Sequence, residues 1–235
     1  MKYYPVNLDI RGRDCLIVGG GGVATRKVRT LLACGARVTV VSPQLSESLR
    51  DLAQQGAVTL YQRPYRSEDL NGMFLVIGAT DNTALNHEIH RDAEARNMLC
   101  NIADQPDVCN FILPAVISRG DLTVAISTSG ASPAFAKALR REMEQRFGDE
   151  YAALLRLMRA IRNKLLSEPH EHEAHKPLFE ALIQGGLIDR IREGDEAQID
   201  RLLAEVLGRG YRYRELLPET GDTVCPAAGC REPQA

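Results

Sequence analysis

Four consecutive glycines, Gly19–Gly22, separate the apolar run Cys15–Val18 from a stretch of helical periodicity that begins at Val23 and extends to about Cys34. After Gly35 the chain enters a second apolar run, Arg37–Val41. Strand, glycine turn, helix and second strand in this order read as a β-α-β unit. The spacing G-x-G-x-x-A assigns Gly19 to the tight turn, Gly21 to close backbone approach by a pyrophosphate, and Ala24 to helix–strand packing. Amides at the start of the helix, around Gly22 and Val23, carry unpaired N–H groups and partial positive charge that suit a diphosphate. The segment therefore reads as a dinucleotide site, with a purely structural glycine turn as the alternative.

An acidic residue about 20 positions beyond the glycines would normally hold the ribose hydroxyls, but the second strand ends Val40-Val41-Ser42-Pro43-Gln44. Ser42 and Gln44 are the polar groups left for the ribose. No arginine follows Ser42 until Arg50, so nothing stands ready for a 2′-phosphate, and NAD is the expected cofactor.

The strand-helix alternation continues with a helix at Ser46–Gln55, a strand at Val58–Tyr61, a continuous apolar strand at Phe74–Ala79, a helix at Leu85–Arg96 and a strand at Leu99–Ile102. Repetition of this kind implies an α/β, Rossmann-type doubly wound parallel sheet. Ligands of such sheets lie beyond the carboxyl ends of the strands. That places Gly19–Val23, Ser42–Gln44, Ala79–Asn82 with Thr80, and Asn101–Asp104 around one crevice. Asp104, just past a strand end, is the candidate acid–base carboxylate, and capping of its own Pro-containing turn is the competing role.

Near Asn110 the pattern changes. Phe111–Ser118 and Leu122–Ser127 read as two strands joined by Arg119-Gly120-Asp121, followed by a helix from Ser132-Pro133 to about Phe147. Two short strands and one helix bury too little to fold alone, so a homodimer through this segment is expected. From Asp149 to about Leu217 the chain reads as helical, with Tyr151, Leu154, Leu155, Met158, Ile161 and Leu165 on one face, and further helices at Lys176–Gln184 and Glu196–Val206, interrupted by Gly185-Gly186 and Gly194. The expected organisation is a dinucleotide-binding domain at 1–110, a dimerisation segment at 111–148, a helical domain at 149–217 and a disordered tail at 218–235.

Other candidates carry a bland alternative each. The turn Ser127–Pro133 is an anion site or an N-cap, and Arg119, Lys137, Arg140 and Arg141 bind substrate carboxylates or form a solvated face. His170, Glu171, His172, Glu173 and His175 are metal-ligand types in what reads as an interhelical connection, and Cys225 and Cys230 lack partner ligands nearby. The net charge of −2 for 235 residues argues against a nucleic-acid partner. No apolar stretch is long enough to span a membrane, the N-terminus lacks signal-peptide character, and Cys15, Cys34, Cys100 and Cys109 suit a reducing compartment, so a cytoplasmic protein is expected.

Together, Val18–Lys27, Ala79–Asn82, Cys100–Asp104, Asn110–Ala115 and Arg119–Ala134 resemble the siroheme-synthase N-terminal family over roughly residues 3–165. The resemblance implies NAD-dependent oxidation of the tetrapyrrole precorrin-2 to sirohydrochlorin, in some members followed by insertion of Fe²⁺ as substrate. It implies a homodimer, cofactor phosphates at Gly22 and Val23, the adenosine side at Pro43 and Gln44, and Asp104 as the catalytic carboxylate. It also implies a stand-alone module without the methyltransferase domain fused to some relatives. A non-catalytic NAD-sensing module is the alternative from another class.

Overall fold

Five short strands generate the first layer of structure. In a computed structural model, which describes residues 2–103, 105, 108–167 and 175–218, these are β1 (Asp14–Val18), β2 (Arg37–Val41), β3 (Thr59–Tyr61), β4 (Leu75–Gly78) and β5 (Leu99–Ile102). All pair in parallel, in the order β3-β2-β1-β4-β5. Because successive side chains leave opposite faces of a strand, Cys15 and Ile17 of β1 join Val38, Val40, Leu75 and Ile77 on one face, under helices α1 (Gly22–Ala33) and α2 (Glu47–Gln54). Leu16 and Val18 join Val41, Val76, Cys100 and Ile102 on the other, under Ile89 and Ala93 of α3 (Thr83–Glu94). Strands β1, β4 and β5 are buried on both sides, which is why they read as continuous apolar runs, whereas the edge strand β3 is largely exposed.

The strand order reverses between β1 and β4. The chain builds β1, β2 and β3 outward in one direction and then returns to lay β4 on the other side of β1, and the reversal opens a crevice at the carboxyl ends of these strands.

One expectation fails beside β5. The strand expected from Phe111 begins at Ala115, and residues 108–111 run back along β5 instead. The Asn110 side chain accepts from the Cys100 N–H at 2.8 Å and donates to the Met98 carbonyl at 2.8 Å, and Asn101 donates to the Phe111 carbonyl at 3.0 Å. Side-chain amides thus satisfy an edge strand that would otherwise present bare backbone groups.

The described residues within 2–113 and within 114–218 form two compact units. In the second, β6 (Ala115–Arg119) and β7 (Leu122–Ile126) make an antiparallel hairpin, and α4 (Pro133–Arg146) follows its Ser132 cap. Helices α5 (Glu150–Ser167), α6 (His175–Gln184), α7 (Leu187–Glu193), α8 (Glu196–Leu207) and α9 (Tyr213–Leu216) surround a core of Leu157, Ile161, Leu165, Leu182, Leu187, Ile199 and Leu203. Leu157, absent from the expected apolar face, is fully buried, and Met158 packs beside it. The glycines read as interruptions bracket a helix: Gly186 and Gly194 adopt left-handed conformations, with φ of 74° and 69°, at the two ends of α7. Such positions favour residues without a Cβ. Among the described residues no helix is long and apolar enough to cross a membrane.

Candidate functional site

At the switch point the glycine run meets the ends of β2 and β4. Gly19 has φ +127°, donates its N–H to the Val41 carbonyl at 3.0 Å, and lies so close to the Ala79 carbonyl oxygen that a Cβ would overlap it. Gly20 is equally confined: a Cβ there would overlap the Gln44 carbonyl oxygen, while the Gly20 carbonyl accepts from the Ser46 N–H at 2.8 Å. Sequence spacing gave Gly20 no role, since the neighbour that excludes a side chain stands 24 positions away. Ala24 is fully buried against the sheet, as the fingerprint requires.

Gly21 and Gly22 differ from their neighbours. Nothing lies within 4 Å of a Cβ built on either, so their backbone faces open space. Gly21 is the N-cap of α1, where no side chain supplies a capping bond and the first turn holds no acidic residue. By contrast Ser46, Asn82 and Ser132 each cap their own helix with a side-chain oxygen. The amides at the start of α1 thus present uncompensated donors and the positive end of the helix dipole toward free space. That cradle fits the diphosphate of a dinucleotide. Val23, partly exposed, stands beside it. The Thr25 hydroxyl holds the turn from behind, donating to the Gly21 carbonyl at 3.0 Å and lying 2.9 Å from the Ser46 hydroxyl.

The other expected contacts play mixed parts. Ser42 is 6% exposed and donates its hydroxyl to the Gln44 carbonyl at 2.7 Å, so it shapes the loop whose exposed residues are Pro43 and Gln44. Thr80 donates to the side-chain oxygen of buried Asn86 at 2.7 Å, and Asn86 returns a bond to the Thr80 carbonyl at 3.0 Å. Asn101 is 8% exposed, with its amide committed to Phe111. Beyond β5, the Ala103 N–H donates to the Gly78 carbonyl at 2.8 Å, tying the chain that leaves β5 to the end of β4. Asp104 lies outside the described residues, as do His170, His172, Cys225, Cys230 and the segment from 219 onward.

Burial pushes the Cys100 thiol up to about 12 and the Cys15 thiol up to about 11, so both stay protonated and are packing groups rather than nucleophiles. In the second unit the turn hydroxyls are spent locally. Ser127 accepts from the Ser129 N–H, Thr128 from the Ser132 N–H and Ser132 from the Phe135 N–H, at 3.1, 3.1 and 3.2 Å. Arg140 pairs with Glu144. Among the described residues no group of three His, Cys, Asp or Glu side chains is placed to hold a metal ion.

Comparison with known proteins bears on this geometry. A family model for NAD(P)-binding matches residues 6–115, and one for the sirohaem biosynthesis protein central region matches residues 119–146. Siroheme synthases of Nitrosococcus oceani and Pseudomonas aeruginosa are each 36% identical over 233 residues, which is 99% of this chain and 49% of theirs. The chain thus spans about half the length of these relatives. Among solved structures, SirC, a precorrin-2 dehydrogenase, aligns with a TM-score of 0.73 at 28% identity, covering 87% of this chain and 99% of SirC. With the glycine cradle at the switch point and both sequence regions matched in order, the chain belongs to the siroheme-synthase N-terminal family.

Proposed function

We propose that this chain is an NAD-dependent dehydrogenase that oxidises precorrin-2 to sirohydrochlorin in siroheme biosynthesis. The observation that carries the reading is the open, uncapped start of α1 at Gly21 and Gly22, set at the β1/β4 switch point of a chain whose fold matches SirC along nearly all of SirC's length. When bound, the nicotinamide supplies an acceptor for hydride. Gly21, Gly22 and Val23 hold the diphosphate with backbone donors, Pro43 and Gln44 border the adenosine side, and Thr80 and Asn101 fix the ends of β4 and β5 that wall the crevice. Asp104 takes the proton that leaves the substrate as hydride departs.

The same reading makes the protein a cytoplasmic homodimer joined through 111–148. Val116 and Phe135 support this, being 42% and 59% exposed on a hairpin and helix too small to bury them alone. Light scattering at micromolar concentration tests it, and a monomer would reject the arrangement.

The functional test is anaerobic incubation of purified protein with precorrin-2 and NAD⁺, following NADH absorbance. NADH formation dependent on both substrates is expected; binding of NAD without turnover would favour a nucleotide-sensing module. A parallel arm with Fe²⁺ and sirohydrochlorin reads whether the chain also inserts iron.

A further inference from the structure

Beside the adenosine corner of the crevice, one arginine is held by a carboxylate. The ends of β2 and β3 are stitched together: the Ser42 N–H donates to the Tyr61 carbonyl at 3.2 Å and the Gln62 side chain donates to the Pro43 carbonyl at 3.3 Å. Arg63 is the next residue. Its guanidinium forms a two-pronged pair with Asp69, at 2.8 and 2.5 Å, donates to the Pro64 carbonyl at 3.0 Å, and lies 5.1 Å from the centre of the Tyr61 ring. Asp69 is well placed to keep it. Its side chain is only 10% exposed, it also accepts the Arg66 N–H at 2.9 Å, and it rides on a 3-10 turn, Ser67–Leu70, anchored by fully buried Leu70. The Arg63 pair holds the Asp69 carboxyl below the usual carboxylate range, so the charge is present at neutral pH.

We propose that Asp69 is a specificity residue, which disfavours a 2′-phosphorylated dinucleotide by capturing the guanidinium of Arg63 beside the Ser42–Gln44 corner. An arginine at this part of a dinucleotide fold is the usual partner of a 2′-phosphate, because its planar donor fork matches phosphate as it matches carboxylate. Here the fork is filled from within the chain. A dinucleotide with a free 2′-hydroxyl loses nothing by this; one with a 2′-phosphate meets a neutralised arginine and the negative Asp69 behind it. Rejection through an internal pair is discrimination against the wrong ligand, not added affinity for the right one. The proposal rests on the reading that a dinucleotide occupies the glycine cradle.

The test is direct binding of NAD⁺ and NADP⁺ by titration calorimetry to wild-type protein and to Asp69→Asn, with circular dichroism as the fold control. Asn keeps an acceptor for the Arg66 N–H while releasing the arginine. NADP⁺ affinity is expected to rise about fivefold or more while NAD⁺ affinity stays within about twofold. Adding Arg63→Gln to the variant should return NADP⁺ binding to the wild-type level, which a general loosening of the corner would not do. Asp69→Ser carries the same expectation should the Asn variant fail to fold. Unchanged NADP⁺ affinity in a folded variant overturns the proposal. Wild-type protein that binds neither dinucleotide removes the cofactor reading itself, so the two failures are distinguishable.

Discussion

The α-carbon of Gly20 lies against the carbonyl oxygen of Gln44, with no room for a methyl group between them. The contact joins the turn after β1 to the loop after β2, and the Gly20 carbonyl is held in turn by the Ser46 N–H. Gly20→Ala should therefore destabilise the first unit by about 1–3 kcal/mol, the usual cost of overpacking, and weaken NAD⁺ binding by displacing the cradle. Chemical denaturation and calorimetry on the same sample check both effects; a variant of wild-type stability would mean the loop yields freely.

One position further on, the expectation reverses. Gly21→Asp has open space around it, and aspartate is a better N-cap than glycine, so the apo protein should melt at the wild-type temperature or slightly above. NAD⁺ binding should be lost, since the carboxylate would occupy the anion position with like charge. Retained NAD⁺ affinity in this variant would place the phosphates elsewhere.

Asn110 substitutes for a missing strand beside β5. Asn110→Ala leaves the Cys100 N–H and the Met98 carbonyl without their partners and should cost about 2–6 kcal/mol, at about 1–3 kcal/mol for each stranded buried group. Urea unfolding measures this, and a change under about 0.5 kcal/mol would mean water replaces the side chain fully.

Alkaline pH should weaken the fold. Cys15 and Cys100 have native values raised to about 11 and about 12 from an ordinary 9.0, so their contribution is full below pH 9 and declines as pH rises toward the native values. Tyr65, buried and donating to Asp92 at 2.9 Å, is also shifted upward and acts in the same direction above pH 10. Unfolding free energy measured from pH 8 to 11 should fall steadily above 9; a flat or rising profile would contradict the burial argument.

Asp104→Ala should retain NAD⁺ binding and lose precorrin-2 oxidation by about 10²–10⁴-fold, the range for loss of a general base. Melting temperature and NADH formation are read together. A lowered melting point with near-normal turnover would assign Asp104 to the turn instead.

The five sheet strands were legible within a residue or two: β1, β4 and β5 are buried almost throughout and so are apolar runs between turn residues, while the exposed edge strand β3 was marked by its place in the strand-helix alternation. The start of α1 was legible for a similar reason, as the fingerprint is local: strand, turn and helix lie within twenty residues. The hairpin start was not. Phe111-Ile112-Leu113 carries the apolar signal of a strand, yet the adjoining Asn110 and Cys109 gain more by closing the exposed edge of β5, a partner that periodicity does not reveal. Helix α7 escaped notice because Gly186 and Gly194 punctuate it, and a left-handed cap looks in sequence like an interruption.

By itself, then, the chain's pattern of apolar runs and glycines determined a Rossmann-type sheet and the glycine turn that opens α1, and its motifs carried the resemblance to a family. Tertiary structure decided which glycine each neighbour requires, where the Ser42 hydroxyl is spent, and that Arg63 is tied to Asp69. The physical reason is range: propensity and periodicity act over a few residues, whereas steric exclusion between Gly20 and Gln44 or a hydrogen bond from Asn101 to Phe111 exists only once distant segments have been brought to contact distance by the packed sheet.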